Sequence, residues 1–257
     1  MLTLEQIKKH TGENIFQRSP KAALIEYLQY EILDSLFKQK NSEKLSFIGG
    51  TAIRIVYQSQ RFSEDLDFDN FGLSFVEFKK LLDQTAKDMS AKGFELEFRF
   101  VEKMAFHCYI KFPNILFLNK LSPNDDEKIL IRIDTVEKDK NVEPKTHILN
   151  KYGIYRKILV NKIETILSQK ILAILERKRE KGRDFYDVSY LLGITKPDYE
   201  YLKKNRDWKP ETIKEKLLHR INNLNIKELS DEVLPFLLKP EDIDRVMTFK
   251  EYIEQKL

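Results

Sequence analysis

The chain has 257 residues, 42% of them hydrophobic and 33% charged, and its 45 Lys and Arg against 41 Asp and Glu leave a net charge of +4. That is enough apolar material, with 17 Phe and 11 Tyr, for one large domain or two small ones, while so mild a charge excess says little by itself about partners. A lone cysteine, Cys108, excludes an intrachain disulfide and a cysteine-based zinc site; with no signal-peptide h-region and no run near the roughly 18 apolar residues of a membrane span, a soluble cytoplasmic protein is expected.

In chain order, Ser19-Pro20 carries the N-cap and first-turn chemistry of a helix start. Leu24, Leu28, Ile32 and Leu36 then recur at helical spacing. LSFIGG reads as a short apolar strand ending in two glycines, TAIRIVYQS as a helix, and EDLDFD as the next strand. SFVEFKKLLDQTAKDMSAKG reads as a helix closed by Gly93 at its C′ position. Three strands follow in FELEFRFVEK, AFHCYIKFP and KILIRIDTVE, the last two separated by a loop at Ser122 to Asp126. A second weak linker spans Asp139 to Lys145. From about Val160 the pattern turns helical, through VNKIETILSQKILAILERKRE, RDFYDVSYLLG, PDYEYLKKN, PETIKEKLLHRINNL and EDIDRVMTFKEYIEQ. The expectation is an α+β fold with two domains: residues 1–158 as a mixed-sheet core with flanking helices, and 159–257 as a helical subdomain.

Three stretches carry chemistry. A strand, Gly49-Gly50 and a helix present free backbone N–H groups where an anion can approach, with the Thr51 and Ser63 hydroxyls nearby. Asp65 and Asp67, two apart on a strand, share one face. Burying two carboxylates together is costly unless a cation sits between them, and a hard divalent ion suits oxygen ligands. Leu66 and Phe68 point the other way, into a core, and Asp69 at the strand end is expected to be solvated or to cap a turn. Asp134, on the non-isoleucine face of ILIRIDTVE, completes a three-carboxylate cluster if its strand pairs beside that of Asp65. Such a cluster holds two Mg²⁺ ions about 4 Å apart. A solvated edge strand is the plainer alternative. In the helical half, Lys170 lies among Ile166, Leu167, Ile171 and Leu175, either snorkelling or fixed as a cation for a triphosphate. Asp184 and Asp187 are equally explained as an N-cap and a first-turn acid.

Taken together, FIGGTAIRIVYQSQRFSEDLDF resembles the signature of the AbiEii/AbiGii toxin family of nucleotidyltransferases, relatives of the MenT toxins. The family pattern is Gly-Gly-Thr followed by Arg-x-Ser-x-Asp-x-Asp-Phe, here Gly49, Gly50, Thr51, Arg61, Ser63, Asp65, Asp67 and Phe68. Its later motif resembles Lys170 and Arg183-Asp184-Phe185-Tyr186-Asp187. The resemblance implies a polymerase-β-like nucleotidyltransferase core, an NTP donor, Mg²⁺, and nucleotide transfer to an acceptor such as the 3′ end of tRNA, by the toxin of a toxin–antitoxin pair. It implies that Asp65 and Asp67 bind metal, and Asp134 fits the third-carboxylate position of the wider nucleotidyltransferase superfamily. Gly49, Gly50, Thr51 and Ser63 hold the triphosphate, Lys170 contacts phosphates, and Asp184 or Asp187 completes the site. Implied partners are NTP, RNA and an antitoxin, with no membrane. Transfer to a small molecule, as by antibiotic adenylyltransferases, and an idle fold kept for binding are the alternatives. Six Lys and Arg against two Glu between 170 and 183, and Lys203, Lys204, Arg206 and Lys209 around Tyr201 and Trp208, are consistent with an RNA acceptor.

Overall fold

The computed structural model describes residues 1–102, 105–138 and 142–257. It forms two compact units, Met1–Ala52 with Ser63–Val160, and Ile53–Phe62 with Asn161–Leu257. The helical unit thus takes in ten residues from the first half of the sequence. The linker expected at Asp139 to Lys145 lies partly outside the described residues, at 139–141.

The first unit opens with α1 (Leu4–Thr11), α2 (Glu13–Arg18) and α3 (Pro20–Phe37). Sequence periodicity had marked only the third. Ser19 caps α3 by accepting from the Ala22 amide, with Pro20 in the first turn. Helix α3 is buried on nearly every side, so even Glu26 and Glu31 lie inside, where Lys151 (2.7 Å) and Lys92 (3.0 Å) pair with them. Next come β1 (Leu45–Ile48), α4 (Gly49–Ile55), β2 (Leu66–Asn70) and α5 (Phe75–Ala91). Ser74 and Glu77 form a capping box on α5, and Gly93 at φ 87° follows its last turn. Then follow β3 (Glu97–Glu102), β4 (Phe106–Phe112), α6 (Ile115–Leu118), β5 (Ile129–Glu137), β6 (Lys145–Lys151) and β7 (Ile154–Val160).

These strands make one seven-stranded sheet in the order β3-β4-β5-β2-β1-β7-β6. The β2 strand is central: antiparallel to β1, parallel to β5. The face bearing Phe47, Phe68, Ile110, Phe112, Ile131 and Ile133 is fully buried. The β6–β7 hairpin went unread in the sequence because its two-residue turn is Tyr152-Gly153, both at positive φ (59° and 77°), rather than the commoner Asn-Gly.

The second unit contains α7 (Ile163–Glu176), α8 (Gly182–Leu192), α9 (Tyr199–Arg206), α10 (Pro210–Ile221), α11 (Ile226–Val233), α12 (Asp244–Met247) and α13 (Phe249–Lys256). The single helix expected over EDIDRVMTFKEYIEQ is instead a 3₁₀ turn at Pro240–Ile243 followed by two helices, broken at Thr248, whose hydroxyl bonds back to the Asp244 carbonyl. Helix α8 is the centre of this unit and packs against α7, α11, α12 and α13. Gly182 lets α8 approach α11, since a Cβ there would lie 1.9 Å from the Leu229 carbonyl oxygen.

Candidate active site

The glycine pair and the aspartates meet across two adjacent strands. The chain leaves β1 and enters α4 with no intervening loop, at Gly49 with φ 78°. A Cβ at Gly49 would lie 2.2 Å from Asp67 Oδ2, so glycine is required both by the backbone and by the nearby carboxylate. The Thr51 side chain is fully buried and its hydroxyl donates to the Asp65 carbonyl, tying α4 to the segment before β2. The Ser63 carbonyl accepts from Gln29 Nε2 at 2.8 Å.

Asp67 lies on β2, whereas Asp65 stands just before its first residue, Leu66. The strand is therefore shorter than the alternation suggested. Leu66 and Phe68 are fully buried as expected. Asp69 is not solvated: it is fully buried, because β2 runs between β1 and β5 and is no edge. In the parallel register Asp67 sits beside Asp134. The pairing that would bring the third carboxylate to the other two is present.

Sequence reasoning missed the cation among these acids. Arg132, two residues before Asp134 on β5, reaches Asp65 Oδ2 at 2.9 Å and Asp134 Oδ2 at 2.8 Å. Partial burial disfavours its charge, but Asp65, Asp134 and Asp67 outweigh that and raise its pKa. His107 Nδ1 lies 2.7 Å from Asp134 Oδ1. As they stand, no three His, Cys, Asp or Glu side chains among the described residues converge enough to hold an ion. The three candidate ligands are all carboxylate oxygens, the donor type that a hard divalent ion takes, and Gly49 leaves the space beside Asp67 free of a side chain.

In the second unit Lys170 does not snorkel. Its ammonium bonds Asp184 Oδ1 at 2.8 Å and lies 2.9 Å from Asp187 Oδ2. Arg61 closes on Asp187 as a two-pronged clamp, Nε to Oδ1 at 2.7 Å and Nη2 to Oδ2 at 2.6 Å, and Arg177 takes Asp184 Oδ2 at 2.8 Å. Asp184 is not the N-cap of α8, which is Lys181, but a buried first-turn residue. Burial alone would raise the pKa of Asp187, yet Arg61 and Lys170 hold it below the usual carboxylate range. Lys170 is correspondingly raised: Asp184 and Asp187 outweigh its desolvation. Arg61 was visible in the motif, but its partner is 126 residues away and no local pattern names it.

The sequence matches the family model described as "Nucleotidyl transferase AbiEii toxin, Type IV TA system" over residues 31–251. The chain belongs to the AbiEii family. It is a toxin-type nucleotidyltransferase. Among solved structures it resembles one from H. pylori, provisionally described as a nucleotidyltransferase, with 20% identity and a TM-score of 0.58 over 93% of this chain and 97% of that one. It also resembles JHP933 from Helicobacter pylori, with 19% identity and a TM-score of 0.55 over 93% and 94%. At such identities these show a shared fold. No curated protein matches the chain. No described helix is long and apolar enough to cross a membrane.

The site residues expected from the sequence thus fall into two groups, each within one unit: Gly49, Gly50, Thr51, Ser63, Asp65, Asp67 and Asp134 in the first, and Lys170, Asp184 and Asp187, joined by Arg61 of the motif, in the second.

Proposed function

We propose that this AbiEii-family enzyme uses Mg²⁺ to transfer a nucleoside monophosphate from an NTP to an RNA acceptor, the 3′ end of tRNA being the foremost candidate, and that a cognate antitoxin restrains it in the cytoplasm. The observation that carries the reading is the register of Asp67 beside Asp134, with Asp65 bridged to the same group through Arg132. Asp65 and Asp67 would hold the metal, with Asp134 as the further ligand. Bound there, Mg²⁺ supplies Lewis-acid stabilisation of the phosphoryl centre and the departing pyrophosphate. Gly49 and Gly50 keep side chains away from the phosphates; the amides of Gly50 and Thr51 and the Ser63 hydroxyl are the triphosphate donors at the positions that the resemblance selects, the Thr51 hydroxyl being committed to the Asp65 carbonyl. The same resemblance selects Lys170 as a phosphate contact. In this reading Asp184 and Asp187 keep the ammonium charged and fixed, and Asp187 acts through Arg61 and Lys170. Support for an RNA acceptor comes from charge placement: residues 170–220 hold fourteen Lys and Arg against nine Asp and Glu, more excess than the whole chain carries.

The test is incubation with each labelled NTP, Mg²⁺ and total tRNA, beside an Asp67→Ala control. Label on tRNA that is absent with the variant supports the reading. Label only on a small acceptor indicates small-molecule transfer, and label nowhere with undiminished toxicity of the variant defeats the catalytic reading.

A further inference from the structure

The face of the sheet opposite its core is partly open, and strand register organises it into rows. Arg99 on β3 pairs with Tyr109 on β4, and Tyr109 pairs with Arg132 on β5. Arg132 in turn bonds Asp65. One step along, Val101 pairs with His107, His107 with Asp134, and Asp134 with Asp67. On the far side of the first row, Lys111 stands between Glu97 and Leu130. Paired residues project to the same side of a sheet, so two cross-strand rows lead from the outer strand to the carboxylates. With strands about 4.8 Å apart, β3 to β2 spans roughly 15 Å.

The composition of this face is not that of an ordinary solvated one. Arg99 is exposed, Leu130 and Val136 are 48% and 47% exposed, and Tyr109 is half-buried between two guanidinium-bearing positions. An alternating strand with nothing to bind would place polar side chains there. An aromatic ring flanked by cations on an open sheet is suited to single-stranded nucleic acid: the ring stacks a base, and the cations take phosphates. The acids on the face are matched: Glu97 pairs with Lys128 at 3.4 Å, and Asp134 with His107 and Arg132.

We propose that this face is the track along which a single-stranded RNA end reaches Asp65 and Asp67, with Tyr109 stacking a base and Arg99 and Lys111 contacting the backbone. The proposal rests on the RNA-acceptor reading and adds the surface that would hold the strand.

The test uses full-length protein carrying Asp67→Asn, so that bound RNA is not consumed, and fluorescence anisotropy with a labelled single-stranded 12-mer RNA. Tyr109→Ser should weaken binding about 10-fold, while Tyr109→Phe, which keeps the ring, should bind like the parent. Arg99→Gln should weaken it and reduce the salt-dependence slope by about 1. NTP affinity should not move in any of the three, and the thermal transition should stay within ~5 °C of the parent's. If the parent binds the RNA and both Tyr109→Ser and Arg99→Gln bind it equally well, the strand lies elsewhere and the proposal is overturned. If the parent binds no RNA and the unmodified enzyme labels none, the acceptor reading itself fails and the track falls with it.

Discussion

Replacing Asp187 by Asn removes one charge from a buried cluster in which Arg61, Lys170 and Arg177 face Asp184 and Asp187. Asp187 has no exposed surface and Arg61 is 1% exposed, so water cannot take over for the lost carboxylate. An Asn side chain offers one acceptor oxygen where Arg61 Nε and Nη2 and the Lys170 ammonium now meet two, and its NH₂ group would face a donor. Leaving a buried cation without its partner costs about 3–5 kcal/mol, a large share of the roughly 5–15 kcal/mol that holds a domain folded. At about 2–4 °C per kcal/mol for a chain of this size, the thermal midpoint should fall on the order of 10 °C at pH 7. The pH dependence has a definite sign. The folded-state pKa of Asp187 is lowered, so its contribution is complete above the unfolded value near 3.8 and is lost as the pH falls through the lower folded value. The gap between Asp187→Asn and the unmodified protein, followed by urea denaturation, should therefore narrow below about pH 4. An Arg61→Met, Asp187→Leu double variant should recover part of the loss, because it removes the desolvation cost together with the pair. A single variant within about 1 kcal/mol of the parent at pH 7 would refute the reasoning, since that is the size expected of an exposed pair.

Asp67→Asn should lower nucleotidyl transfer about 10³-fold while leaving the thermal transition in place, as read by single-turnover labelling and calorimetry. Gly49→Ala should destabilise by roughly 1–3 kcal/mol in urea melts, because φ is 78° and the new methyl group would press on Asp67. Gly182→Ala should cost a similar ~1–3 kcal/mol by overpacking α8 against the Leu229 carbonyl. Cys108 is fully buried and burial pushes its thiol pKa well up, so a thiol reagent should label it only on unfolding; rapid labelling of native protein would contradict its placement.

Much of the fold was readable because its signals are local. Ser19-Pro20 opens α3, and Gly93 follows α5, because capping depends on a few adjacent backbone groups. Helix α11 had a signal that passed unread, with Asn225 accepting from the Glu228 amide three residues on. The misjudged solvation of Asp69 has a different origin. Alternation states which residues share a face, not whether that face is covered, and the order of strands decides the latter.

The sequence by itself determined the family, the α+β class and the pairing of a glycine turn with an Asp-x-Asp strand, since these rest on short-range geometry and on residue types with few substitutes. Only the tertiary structure decided which partners complete each group. Asp134 lies 67 residues beyond Asp67 and reaches it through parallel register. Arg132 was merely a residue of an alternating strand until it was found between Asp65 and Asp134. Arg61, read as part of a motif beside Ser63, is bound to Asp187 and belongs to the other unit. Charge pairing of this kind depends on distance through space and on exclusion of water, and neither is written in the spacing of residues along the chain.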